Sequence, residues 1–192
     1  MDYKIILGLL ATILAIFSFY PYLKDIFKKK TKPHAYSWLI WSIIQGVGVL
    51  AMLEGGASFG SMGLAVGTLL TFVIFLLSFK YGTRNITKID TALLLACLVI
   101  IVVWLNQEDP LWAVVLVSLV DTIAYIPTYR KTYLNPQTET LFSYVMWVIA
   151  NILSIMAMAH YSLVTMLYIG TLTVTDFLMV LLLTFKGRHH DI

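Results

Sequence analysis

The chain has 192 residues, 60% of them hydrophobic and only 12% charged, with a mean hydropathy of +0.88. A soluble domain of this size needs far more charge to cover its surface, so the composition reads as an integral membrane protein and excludes an ordinary soluble enzyme or binding module. The formal net charge of +3 gives no reason to expect a nucleic-acid partner, because the location of the charges matters more than their sum. The single cysteine, Cys97, cannot form an internal disulfide and reads as packing in an apolar run.

Seven stretches are long and apolar enough for spanning helices: Ile5–Tyr20, Tyr36–Leu53, Phe59–Phe79, Ile89–Leu105, Leu111–Tyr129, Leu141–Ala159 and Ser162–Phe185. Helices are the default, because backbone groups in lipid must be satisfied within their own segment. The first break is "KDIFKKKTKPH" and the clearest later one is "NQEDP"; "EGGAS" and "AHYS" are weaker. If the spans alternate sides, one side holds Lys24, Lys28, Lys29, Lys30, Lys32, Lys80, Arg84, Lys88, Arg130, Lys131, Lys186 and Arg188, and the other holds only Lys4. The positive-inside rule puts the crowded side in the cytoplasm and the N-terminus outside, as expected in a plasma (inner) membrane. The start "MDYK" is barely basic and no small-residue cleavage site precedes Pro21, so the first span reads as a helix and not a cleaved signal. "KKKTK" reads as a topology determinant, with lipid or partner docking as the alternative.

An ungapped shift of 106 residues lays Pro21 on Pro127, Lys24 on Arg130, Ser37 on Ser143, Trp38 on Tyr144, Trp41 on Trp147 and Gln45 on Asn151. Proline, tryptophan and amides are rare in such helices, so their coincidence carries more than the apolar matches around them. The shift moves three spans onto three and leaves the fourth, "IDTALLLACLVIIVVWL", without a mate. A lone extra helix restores the orientation of a three-helix copy, so the halves run parallel. The expected fold is therefore all-α, seven transmembrane helices as two parallel three-helix bundles joined by a linker helix (3+1+3). Residues 1–80 form the first bundle, 81–110 the linker and its loops, and 111–192 the second bundle and a short tail.

That pattern resembles the SWEET and PQ-loop group of membrane transporters. The group's Pro-Gln signature lies near the cytoplasmic end of the first helix of each bundle; here the matching pairs are Pro21-Tyr22 and Pro127-Thr128, which keep the proline alone. "PTYRKTYLNPQTETLFSYVMWVIAN" and "PYLKDIFKKKTKPHAYSWLIWSIIQ" follow the group's order of basic stretch, polar linker, Trp and amide. The resemblance implies alternating access around a midplane site and, in its proton-driven branch, acids on equivalent helices that carry the proton.

Pro21 and Pro127 each remove a backbone bond near the cytoplasm and read as hinges for an inner gate, or as fixed helix ends. Trp38, Trp41 and Gln45 share one helical face, as do Tyr144, Trp147 and Asn151, by the i, i+3, i+7 rule. Two such faces meeting across a pseudo-twofold axis would enclose an aromatic cavity with amide donors and acceptors; amide-glued helix packing is the alternative. Asp121 and Asp176 stand half-way along their spans with no basic residue at that depth. Each reads as a proton carrier, as the counter-charge of a cationic solute, or as a neutral acid bonded to a neighbour such as Thr122 or Thr175. The 106-residue shift lays Asp176 on Leu70, so the acids belong to the second half alone. Tyr168, Thr171 and Thr175 lead along one face towards Asp176, as a path or as hydroxyls bonded back to the helix. Gly63 and Gly67 form a GxxxG pair that reads as close helix packing.

His34, His160, His189 and His190 show no metal-site spacing, and no nucleophile–base set is visible, so no cofactor, metal or enzymatic activity is expected. The reading is a transporter of a small polar solute (sugar, amino acid or vitamin-like), uniport or proton-coupled, in which a monomer suffices. A seven-helix receptor or cargo binder is the alternative.

Overall fold

A computed structural model of the chain describes residues 3–104, 106 and 109–187. Arg188, His189, His190 and the last residue of the fourth expected span, Leu105, lie outside them. Among the described residues seven α-helices run in chain order: α1 Tyr3–Phe27, α2 Ala35–Glu54, α3 Met62–Tyr81, α4 Lys88–Trp104, α5 Pro110–Leu134, α6 Leu141–Met156 and α7 Leu163–Gly187. Short 3-10 turns at Ser58–Ser61 and Pro136–Thr138 precede α3 and α6. Among the described residues there is no strand.

Local chemistry sets several boundaries. α4 opens on a reciprocal cap: Thr87 N–H donates to Asp90 Oδ2 at 2.7 Å, and Asp90 N–H donates to Thr87 Oγ1 at 3.2 Å. α5 opens on Asp109, which accepts from Leu111 N–H at 2.8 Å, with Pro110 in the first turn where its missing N–H costs nothing. The turn after α2 needs the left-handed backbone of Gly56, φ +81°. Neither interior proline ends its helix. α1 continues past Pro21 to Phe27, and α5 past Pro127 to Leu134, so each proline forfeits one backbone bond inside a helix. The reading of these prolines as helix ends is thereby corrected. α6 stops at Met156, short of the expected Ala159, as Ala157 and Met158 N–H turn back onto Leu153 and Ile155 carbonyls.

The helices close into a ring. α1 packs on α3 and α6, α3 on α2, α2 on α5, α5 on α7, and α7 on α6. α4 packs on α5 and α2 from outside the ring, with Cys97 Sγ 3.9 Å from the Val120 carbonyl. Among the described residues four helical stretches are long and apolar enough to cross a membrane: Tyr3–Phe27, Ala35–Glu54, Ser58–Tyr81 and Leu163–Gly187. α6 is a shorter apolar helix. Large apolar side chains such as Ile13, Leu69, Phe79 and Val99 are exposed on the helices, a surface suited to lipid contact.

The basic residues gather at one end of the ring. There Lys32 N–H donates to Thr138 O, Thr83 N–H to Pro33 O, and Arg130 to Asn85 O. These bonds tie the α1–α2, α3–α4 and α5–α6 connections into a single layer. Lys4 lies at the other end, where its ammonium donates to the Met158 carbonyl at 2.7 Å.

Candidate functional site

The two aromatic faces meet inside the ring. On α2, the Trp38 and Trp41 rings stand at 86° with centroids 5.2 Å apart; on α6, Tyr144 and Trp147 stand at 87° and 4.9 Å. Each helix thus contributes one right-angled corner, and Trp38 joins the two corners through Trp147 at 6.3 Å. A ring from a neighbouring helix backs each corner: Tyr125 on Trp41 at 4.6 Å, and Phe19 on Trp147 at 5.2 Å. Phe19 and Tyr125 are themselves 106 residues apart, a match that sequence reasoning passed over because Phe is common in apolar helices.

The corners line a cavity of about 70 Å³. Of the residues expected at the site, Trp38, Trp41, Gln45, Tyr144, Trp147, Asn151 and Asp176 line it. Thr175 and Asp121 do not. Neighbours on a helix point about 100° apart, so with Asp176 facing the cavity Thr175 turns to the α5 seam. There its hydroxyl lies 3.4 Å from Asp121 Oδ2 and donates back to the Thr171 carbonyl at 3.0 Å. Thr171 bonds back to Leu167 O and Tyr168 is fully buried; Thr171 and Thr175 border a separate open groove along α7, and none of the three lines the aromatic cavity.

Polar contacts repeat across the ring as the rings do. Thr71 hydroxyl donates to Gln45 Oε1 at 3.0 Å, and Asn151 Nδ2 donates to Asp176 Oδ2 at 3.1 Å. The structural mate of Asp176 is therefore Thr71, 105 residues away, and not Leu70. The connection before α7 is one residue shorter than the one before α3. Asp176 also accepts from Tyr125 hydroxyl at 2.5 Å. Among the described residues neither Asp176 nor Asp121 has an ion-pair partner. The indole N–H groups of Trp41 and Trp147 find no acceptor there either.

A buried polar layer separates the cavity from the basic end. Tyr22, the residue after Pro21, packs its ring on Trp38 and Trp147 at 5.1 and 5.7 Å. Tyr22 and Tyr144 hydroxyls donate to Glu139 Oε2 at 2.9 and 3.1 Å, and Lys131 pairs with Glu139 Oε1. Lys131 donates further to the Lys32 carbonyl at 2.8 Å. Sequence reasoning missed Glu139 because it lies in a loop, 117 residues from Tyr22, with no local pattern to mark it. Pro127 sits above a related contact on the other side, where Thr128 hydroxyl donates to Ser37 Oγ at 3.1 Å.

The far end closes by close contact instead. A Cβ at Gly48 would lie 2.3 Å from the Tyr168 ring, and one at Gly60 would lie 2.7 Å from Met158 Cγ. Gly63 faces Ser154, where a Cβ would sit 3.4 Å from Oγ. Both members of the GxxxG pair also line the cavity, beyond the packing role expected of them.

At the basic end, His34 is buried with Nε2 3.4 Å from Asp90, which also holds Arg130 at 2.7 Å. Burial holds its imidazole down at about 4, against the pull of the Asp90 carboxylate.

Compared with family models, with curated proteins and with solved structures, the chain matches none.

Proposed function

We propose that the chain is a membrane transporter of a small polar solute, built on the SWEET and PQ-loop plan. In this reading all seven helices span the bilayer of a plasma (inner) membrane. α1–α3 and α5–α7 are parallel three-helix bundles, α4 is the linker, the N-terminus is outside and the basic end is cytoplasmic. The observation that carries the reading is the cavity itself. It is lined by equivalent residues of both halves, with an aromatic corner and an amide from each.

The two closures supply the rest of a cycle. The cytoplasmic closure is a network of discrete polar contacts, Tyr22 and Tyr144 on Glu139 and Lys131 on Lys32 O, and it parts when the bundles rock. Pro21 and Pro127, each missing one helical bond next to that layer, are the hinges. The outer closure is a set of glycine contacts that slide without breaking hydrogen bonds. Asp176 and Asp121 are the groups placed to carry a proton if the solute is coupled to one.

The test is flux. Purified protein in liposomes should accumulate labelled solute, and Trp147→Ala should abolish that accumulation. Uptake that follows an imposed pH gradient and fails in Asp176→Asn or Asp121→Asn identifies proton coupling; pH-independent flux identifies a uniporter. Saturable binding with no flux under any gradient would overturn the transporter reading in favour of a seven-helix receptor or cargo binder.

A further inference from the structure

We infer that the solute taken by this cavity is a small organic cation of the alkylammonium kind, bearing a neutral hydrogen-bond acceptor. The inference rests on the proposed solute site and narrows it to a chemical class.

Three observations lead there. The first is charge. Asp176 lines the cavity with both oxygens already accepting, Oδ1 from Tyr125 and Oδ2 from Asn151. The amide N–H donates to Oδ2 and the phenol sits on Oδ1, contacts that stabilise the carboxylate against the cost of its burial. Among the described residues, the cavity lining carries no basic side chain and Asp176 has no ion-pair partner. The counter-charge must come from what binds. The equivalent position in the first half is Thr71, so the cavity holds one negative charge and not two.

The second is the wall. Trp38, Trp41, Tyr144 and Trp147 form two right-angled corners. Aromatic faces around a carboxylate attract a cation by their quadrupoles, and a caged alkylammonium exploits them where a hydroxylated neutral solute does not. The unpartnered indole N–H groups of Trp41 and Trp147, on residues of this wall, suit an acceptor on the same solute.

The third is size. The cavity is small, about 70 Å³, which favours a solute of few heavy atoms over a bulky one.

The probes are choline and its neutral isostere 3,3-dimethylbutanol, in which carbon replaces the quaternary nitrogen. Their binding is read on the detergent-purified wild-type chain by calorimetry and by tryptophan fluorescence. Choline should bind at least about tenfold tighter than the isostere and quench the cavity tryptophans. Asp176→Asn should erase the difference, and Asp176→Glu should restore part of it. Because the wild-type comparison needs no variant, a misfolded Asp176→Asn leaves the outcome intact. Equal binding of the isostere, tighter binding of the zwitterion glycine betaine, or no ammonium binding at all would each overturn the inference. If a neutral solute then binds and loses affinity in Trp147→Ala, the site stands and only its charge preference is wrong. If the ammonium binds but no flux is seen, the cation inference stands and the transporter reading falls.

Discussion

Lys131 and Glu139 form a buried ion pair across the α5–α6 connection, with the lysine 2% and the glutamate 7% exposed. Removing one partner of such a pair strands the other charge, which typically costs about 3–5 kcal/mol. Glu139→Gln should therefore lower stability by about that amount while still offering an acceptor to Tyr22 and Tyr144. Adding Lys131→Met removes the stranded charge and should recover most of the loss. Denaturant unfolding of the two variants in detergent checks the order; a double variant less stable than the single would contradict it.

Gly48 and Gly170 make a matched pair of tests. A methyl at Gly48 meets the ring of buried Tyr168 at 2.3 Å, so Gly48→Ala should cost about 1–3 kcal/mol through overpacking. Tyr168→Leu in the same chain should relieve it. Nothing lies within 4 Å of a Cβ at Gly170, so Gly170→Ala should stabilise α7 by about 0.5–1 kcal/mol. Melting curves of the three variants decide both.

His34 links stability to pH. Its imidazole titrates at about 4 when folded and near 6.5 when unfolded. Between those values the unfolded chain holds the extra proton, so stability is fully present above about pH 6.5 and is lost as pH falls towards 4. The groups facing it are Asp90 on α4 and Arg130 and Lys131 on α5. The loss is on the order of 3 kcal/mol across the window. The melting temperature should fall from pH 7.5 to pH 5, and His34→Gln should flatten that slope whatever its effect at pH 7.5.

Tyr125 hydroxyl holds Asp176 at 2.5 Å. A hydrogen bond to a charged group contributes about 1.5–3 kcal/mol, so Tyr125→Phe should destabilise by that order. If the cavity binds the proposed solute, the substitution should also lower that affinity while leaving the Trp41 wall in place, since the ring remains. Calorimetric binding of the same solute to both proteins is the measurement; an unchanged affinity would place the hydroxyl outside the site's chemistry.

Much of this was legible in the sequence, for identifiable reasons. Trp38, Trp41 and Gln45 and their mates stand out because large aromatics and amides are rare in apolar helices and here recur at one helical spacing. The seven helices emerged within a few residues, except where proline was taken for punctuation: α1 outruns Tyr20 because a single lost bond does not stop a packed helix. Glu139 was invisible because its partners on α1 and α6 are brought to it only by the ring. Thr175 was misplaced by one step on a helix, and a one-residue difference in loop length hid the match of Thr71 with Asp176.

The glycine contacts at the end away from the basic residues are not copies of one another. Tyr168 on α7 presses on Gly48 of α2, while Gly63 on α3 faces Ser154 of α6. Large meets none on one seam, and small meets small on the other. A first half paired with itself would set Gly63 against Gly48 and leave a hole. A second half paired with itself would drive Tyr168 into Ser154. On the proposed two-bundle plan, neither half packs well against a copy of itself. Two separately expressed halves should therefore reassemble with each other and not with themselves, so the seam selects its partner by side-chain size alone.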